Sequence, residues 1–414
     1  MTLNYMKVAN DRAYARALDL LRPDRKTLEH GLELHRQSVV VDAFGFAPYP
    51  LTTRMITEIN ALNEEGATPE QLQDRLLDMR VTESVRDEEA YAQCLEAWNA
   101  SGVTGTMQTC GGEGPFDRQI RHLSRFFLVW DRNPGLVRKA TTPGDVLRAK
   151  QEGARCQYVS LNGLPGDHIQ LGADAGLDMV DHCYNLGCRM MHLTYNLRNL
   201  IGDGCIEPAD AGLSNWGREV IARMNRVGIL VDVPHSGRRT TLDAAEASSA
   251  PIAASHTACQ ALYPHDRGKS DQEIKAIAAT GGFVGICVLA WVLAERGTLV
   301  DLLNHIDHAV RLVGPDHVAI GTDKPAMADI PEGMNMKPLA PSKARNRNWL
   351  PKHKASPEAN EEPRTGSLRW TNWPLFTVGL VQRGYSDDDI RKIIGGNVLR
   401  VLGQVADGAS KQGR

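Results

Sequence analysis

The 414-residue chain has no run of about 18 apolar residues anywhere, which excludes a membrane-spanning helix. Its opening stretch, MTLNYMKVANDRAYARALDLLRPDR, lacks the apolar core and small-residue cleavage site of a secretory leader, so a cytoplasmic protein is expected. Charge of one sign is lacking too. With 47 basic and 50 acidic residues the formal net charge is −3, and no Lys/Arg block is dense enough to track a phosphate backbone, so nucleic acid is not an expected partner. Eight cysteines (Cys94, Cys110, Cys156, Cys183, Cys188, Cys205, Cys259 and Cys287) never form a CxxC pair. In a reducing compartment they read as small buried hydrophobes, and a chain this long needs no disulfide or structural metal to fold.

What the chain does have is a succession of short apolar, β-branched runs: SVVVDAF (38–44), GVTGTMQTC (102–110), QYVSLNG (157–163), CRMMHLTY (188–195), GILVDVPH (228–235), PIAASH (251–256), GFVGICV (282–288) and HVAIGTD (317–323). Amphipathic patterns such as EVIARMNRVG and DQEIKAIAATGG lie between them. Continuous apolar strands alternating with such helices indicate an α/β protein with a parallel sheet covered by helices, and eight of them predict a closed (β/α)8 TIM barrel. Residues 1–35 read as an N-terminal helical arm, 36–405 as the single barrel domain and 406–414 as a disordered tail. A helical insertion, TTRMITEINALNEEGATPEQLQDRLLDMRV, follows the first strand. A second, irregular insertion (326–367) follows the eighth as a lid or oligomer contact. Its Lys337, Lys343, Arg345, Arg347, Lys352 and Lys354 suit an anionic substrate or, more simply, a solvated surface loop.

Four runs end on a polar or ionisable residue: Asp42, His235, His256 and Asp323. The C-terminal strand ends of a barrel converge on one mouth, so two imidazoles on neighbouring strands and a carboxylate on the eighth form a convergent set.

From about residue 36 to 405 the chain resembles the membrane (renal) dipeptidase family of the amidohydrolase superfamily. The likeness is carried in order by NLGCRMMHLTYN, GLSNWGREVIARMNRVGILVDVPHSG, PIAASHTACQALYPHDRGKSDQEIKAIAATGGFVGI, HIDHAVRLVGPDHVAIGTD and QRGYSDDDIRKIIGGNVLRVL. The resemblance implies two zinc ions at the mouth, one held by a His-x-Asp after the first strand and the other by histidines after the fifth and sixth, with a bridging glutamate after the third. It places His235 and His256 on the fifth- and sixth-strand ligands, Asp323 on the aspartate that shuttles the proton, and Arg267 on the arginine that meets a substrate carboxylate. It also implies a homodimer.

Elsewhere this sequence departs from the family pattern. The His-x-Asp pair is Phe44 and Phe46, the bridging glutamate is Asn162, and the histidine that polarises the scissile carbonyl is Tyr195, which still donates a hydrogen bond. Two phenyl rings thus stand where one metal would, and the carboxylate that served it has gone as well. That argues against a binuclear mechanism and leaves room for one zinc, on His235, His256 and Asp323, with an open position for water.

The expected function is therefore metal-dependent hydrolysis of an amide or other C–N bond in a small metabolite bearing a carboxylate. Asp323 and Tyr195 would be catalytic; Arg267, Phe44, Phe46 and Asn162 would bind substrate. Two other readings stand beside it: a metal-free lyase or isomerase using the same His, Asp and Tyr residues, and a catalytically silent ligand-binding homologue. Glu113, in a glycine-rich loop, is a candidate substitute carboxylate. His192, three residues before Tyr195, is expected on the opposite face of its strand, buried against helices. His305, His308 and His317 read as structural, and Cys110 and Cys287 as core.

Overall fold

Each of the eight apolar runs becomes a strand in the computed structural model, which describes residues 4–166, 173–331, 333–336 and 366–411. The strands are β1 (Val41–Gly45), β2 (Gly105–Thr109), β4 (Cys156–Leu161), β5 (Cys188–His192), β6 (Leu230–Asp232), β7 (Ile252–Thr257), β8 (Phe283–Ile286) and β9 (Val318–Ile320), with a short extra strand β3 (Arg138–Ala140). Pairing is parallel throughout, in the order β1-β2-β4-β5-β6-β7-β8-β9. The charged β3 had no apolar pattern to announce it. It pairs with Cys156–Tyr158 of β4, and β5 takes over the same edge at Val159.

The circle is nearly closed, and its seam between β9 and β1 is held by one side chain and one backbone hydrogen bond. Asp42 accepts from the Thr322 amide (2.8 Å) and hydroxyl (2.6 Å), while the Asp323 amide donates to the Phe44 carbonyl at 2.9 Å. Trp370 donates its indole N–H to the same carboxylate at 2.9 Å. The architecture is the (β/α)8 barrel that alternating apolar strands and amphipathic helices dictate, because a sheet buried on both faces must be covered by helices outside and filled by its own side chains inside.

Strand residues divide between two apolar clusters. Val41, Ala43, Met107, Tyr158, Met190, Leu230, Ala253, Phe283 and Ala319 fill the interior, whereas Val159, Met191, Val231, Ala254, Val284 and Ile320 meet the helices. The last helix, Asn397–Lys411, packs against β1, β8 and β9 and adds Val398, Val401, Leu402 and Val405 to the interior cluster, closing the barrel floor. It runs through 406–411 with Ala409 buried, which corrects the expected disordered tail: an apolar stripe continues past residue 405 and still finds a partner surface.

The N-terminal arm is two helices, Tyr5–Leu21 and Arg25–Gln37, capped by Asn4 and Asp24. The second lies along helix Trp373–Gln382, where Gly31 permits close approach to Val378. The insertion after β1 forms helices Thr53–Glu64 and Pro69–Thr82, the latter opened by a capping box at Thr68. The first part of the later insertion runs beside the segment that follows β1: Tyr49 bridges to Met327. Lys337, Lys343, Arg345, Arg347, Lys352 and Lys354 lie outside the described residues. No helix among the described residues is long and apolar enough to cross a membrane.

Candidate metal centre

The C-terminal ends of β5, β6, β7 and β9 place their polar residues around one buried point, and β1 walls it with Phe44. His256 lies one residue before the end of β7 and is fully buried; His235 follows β6 and is 3% exposed. Their Nε2 atoms face each other at 3.0 Å. Both imidazoles titrate well below the ordinary range, first because burial penalises the charged form and then because the Arg267 guanidinium lies close by. They are neutral at physiological pH, the state in which an imidazole offers a lone pair.

Which nitrogen carries the proton follows from the opposite side of each ring. His235 Nδ1 lies 2.6 Å from the Asn196 side-chain oxygen, which also accepts from the Cys205 thiol, so this nitrogen donates. His256 Nδ1 lies 2.9 Å from Ser255 Oγ. Ser255 spends its own proton on Asp232 at 2.6 Å, leaving its oxygen to accept from His256. The tautomer that these partners favour carries the proton at Nδ1 of both rings, an arrangement in which two Nε2 lone pairs would converge. Two such nitrogens repel unless a cation lies between them. Ligands about 2.0–2.1 Å from one tetrahedral zinc stand roughly 3.3 Å apart, so the pair fits that ion to within a few tenths of an ångström.

Asp323 stands at the rim, its carboxylate oxygen 4.0 Å from His256 Nε2. Burial pushes it up to about 7, with Arg267 pulling down and Asp42 pushing up more weakly. Its backbone is left-handed at φ 52°, a conformation that aspartate tolerates better than most residues.

The remaining predicted residues fall around this centre. Phe44, 1% exposed, stacks on His256 with ring centroids 4.0 Å apart and an interplanar angle of 21°. Phe46 meets Phe44 edge-on at 6.1 Å, and Tyr195 stacks on His235 at 4.1 Å. Asn162 accepts from the Thr109 hydroxyl at 2.8 Å, which occupies part of the oxygen it would offer a ligand or substrate. Arg267 is 2% exposed; its two terminal nitrogens donate to the carbonyls of Pro234 and His256, buttressing both histidine-bearing segments, and its Nε has no hydrogen-bond partner among the described residues. Glu113 is bound to Asn199, and burial raises its pKa.

His192 departs from its expected place. Its ring centroid lies 5.2 Å from Phe44, 5.5 Å from His235 and 5.4 Å from His256, so it points into the barrel and not toward the helices. β5 ends at His192, and the two-residue alternation does not carry on to Tyr195. The useful signal was two positions away, since Met190 and His192 share a face and Met190 is interior. Asp232, Ser255 and Asn196 were also missed, because roles in orienting another side chain leave no motif. One nitrogen of His192, one carboxylate oxygen of Asp232 and one nitrogen of His256 lie within 4.8 Å of one another. His305 donates to and accepts from backbone, His308 pairs with Asp271, and Cys110 and Cys287 are buried.

A nearly closed parallel barrel with imidazoles gathered at its mouth is the architecture of an amidohydrolase. The membrane dipeptidase family, peptidase family M19, matches residues 29–341, and the chain belongs to that family. Dipeptidase tcpJ of Claviceps purpurea is 28% identical over 300 residues, covering 71% of this chain and 61% of that protein. Dipeptidase aclJ of Aspergillus oryzae is 30% identical over 252 residues, covering 59% of this chain and 51% of that protein. The chain thus spans between half and two thirds of the length of these curated relatives. An amidohydrolase from Pseudomonas aeruginosa superposes with a TM-score of 0.66 at 26% identity, covering 91% of this chain and 99% of that one. A metallo peptidase from Rhodobacter sphaeroides, solved with a phosphinate mimic of L-Ala-D-Ala, gives 0.61 at 18% identity over 89% of this chain and 100% of its own, a likeness of fold alone.

Proposed function

We propose that this protein is a single-metal hydrolase that cleaves an amide or related C–N bond in a small metabolite bearing a carboxylate. The observation that carries the reading is the pair of converging Nε2 atoms 3.0 Å apart, each ring held from behind by its own partner at Nδ1. Zinc held by His235 and His256 would supply Lewis acidity, bringing the pKa of a water toward about 7 and polarising a carbonyl.

The chain's own groups divide the remaining work. Asp323, at the rim beside His256, accepts the proton of the attacking water and returns it to the leaving amine. Tyr195, stacked on His235, donates to the oxygen on which charge develops. Arg267 sets positive charge behind both histidines, which favours a substrate bearing a carboxylate. Phe44 and Phe46 supply an apolar wall where the family pattern has metal ligands, so the pocket takes a different group there from an ordinary dipeptide, and little dipeptidase turnover is expected.

A metal-free lyase or isomerase is less well supported. Without a cation, His256 Nε2 could carry a proton for His235 only if Ser255 turned its hydroxyl from Asp232 to His256 Nδ1, giving up the 2.6 Å bond to that carboxylate. Elemental analysis of the purified protein decides the point: about one zinc per chain, with hydrolysis of an N-acyl amino acid panel lost to a chelator and restored by zinc, is the expected result. No bound metal, or two ions per chain, would refute it.

A further inference from the structure

We infer that Asp232 is a positioning residue of the centre: by holding the Ser255 hydroxyl it keeps the proton of His256 on Nδ1 and presents the Nε2 lone pair to the ion. The inference rests on the single-metal reading above and names the group that prepares one of its two histidines.

Asp232 ends β6, pairs with Ala253 of β7 and is fully buried. A carboxylate kept in such a place is costly unless its oxygens are hydrogen-bonded. Both are. One accepts from the Ser255 amide at 2.8 Å and the other from the Ser255 hydroxyl at 2.6 Å. His192 Nε2 stands 3.1 Å from that second oxygen, an ion-pair distance without hydrogen-bond alignment. The barrel seam repeats the clasp, with Asp42 accepting from the Thr322 amide at 2.8 Å and from its hydroxyl at 2.6 Å. In each case an aspartate grips the Ser or Thr immediately before a residue of the mouth, His256 or Asp323. Tying neighbouring strands together explains this shared part.

It does not explain what else the two hydroxyls meet. Thr322 Oγ1 has only the Lys324 backbone carbonyl beyond its clasp, at 3.4 Å, whereas Ser255 Oγ lies 2.9 Å from His256 Nδ1. A hydroxyl has one proton to give, and a carboxylate only accepts. With that proton on Asp232, Ser255 accepts from His256 Nδ1, and His256 Nε2 meets His235 Nε2 at 3.0 Å as a lone pair. Without the carboxylate the hydroxyl turns to Nδ1. The ring proton then sits on Nε2, with no net change in protons, and His235 Nε2 accepts it, so a hydrogen bond takes the place of the ion. Asp232 thus acts at one remove, as the outer partners of metal-binding imidazoles do.

Long-range proton–nitrogen correlation spectra of the metal-free, histidine-labelled protein report which nitrogen of His256 carries the proton, its signal being assigned with His256→Gln. Wild type should show Nδ1–H, and Asp232→Asn and Ser255→Ala should both show Nε2–H. Asp42→Asn, which alters the seam clasp instead, should keep the wild-type form. Zinc affinity measured by chelator competition should fall about 10–100-fold in Asp232→Asn. It should fall little further when Ser255→Ala is added, because both substitutions act through one hydroxyl. An Nε2–H wild type, or a His256 that keeps Nδ1–H in both variants, would overturn the role of Asp232 and leave the single-metal reading standing. Should Asp232→Asn fail to fold, Ser255→Ala, which keeps the amide half of the clasp, carries the same test. A wild type that binds no zinc would end the single-metal reading, and with it the role of Asp232 toward an ion.

Discussion

His235 Nε2 and His256 Nε2 lie 3.0 Å apart while the Nδ1 of each ring meets a partner on its far side, Asn196 for one and Ser255 for the other. Removing either imidazole leaves the other without a partner for chelation. His235→Ala should therefore drop zinc from about one ion per chain to below about 0.1 after dialysis. His308→Ala, which breaks only a pairing with Asp271 on an outer helix, should leave the count unchanged. Metal analysis of the two variants side by side checks this.

Phe44 and Phe46 occupy the places where the family pattern carries His-x-Asp, and Asn162 the place of its bridging carboxylate. Restoring all three as Phe44→His, Phe46→Asp and Asn162→Glu should raise the zinc count from one to two, because a shared carboxylate offsets the repulsion between paired cations. Phe44→Ala alone should instead cost about 3–5 kcal/mol in urea unfolding, since the ring is 1% exposed and stacks on His256. A triple variant that folds and still binds one ion would contradict this account of the phenylalanines.

Asp42 closes the barrel seam, and burial raises its pKa to about 7 against the pull of Thr322, Trp370 and the Phe44 amide. An unfolded aspartate titrates near 3.9. The folded state therefore binds the proton more tightly, so this contribution to stability is complete below about pH 4 and is lost as pH climbs to about 7. The loss is at most about 1.4 kcal/mol per pH unit. Asp323 lies close and is raised in the same direction, so the readout is a difference between two proteins. Wild type should lose urea stability relative to Asp42→Asn between pH 5 and pH 7.5, and parallel profiles would show that Asp42 stays ionised.

Asp323→Asn preserves the left-handed backbone at φ 52°, which asparagine also tolerates, but removes the proton acceptor. Turnover should fall about 10²–10⁴-fold with melting temperature and zinc content unchanged. Loss of zinc in this variant would make Asp323 a ligand rather than the base.

Much of the architecture was legible because its cause is local. Eight apolar runs separated by amphipathic helices specify a parallel sheet covered by helices. His235, His256 and Asp323 stood out because ionisable groups at the ends of buried strands are costly without a purpose. The short β3 was hidden because Arg138 and Lys139 carry no apolar alternation and pairing alone makes them a strand.

By itself, then, the order of residues determined the period of each segment and therefore the barrel, together with the substitution of aromatic rings for a metal's ligands after β1. The tertiary structure alone decided that His192 turns inward, that Asp232 reaches two imidazoles and that Arg267 braces the strand ends carrying them. Those facts depend on where strands terminate and on which side chains from distant segments meet. Hydrogen bonds between residues tens of positions apart, such as His235 to Asn196 or Asp42 to Trp370, are fixed only once the sheet has closed.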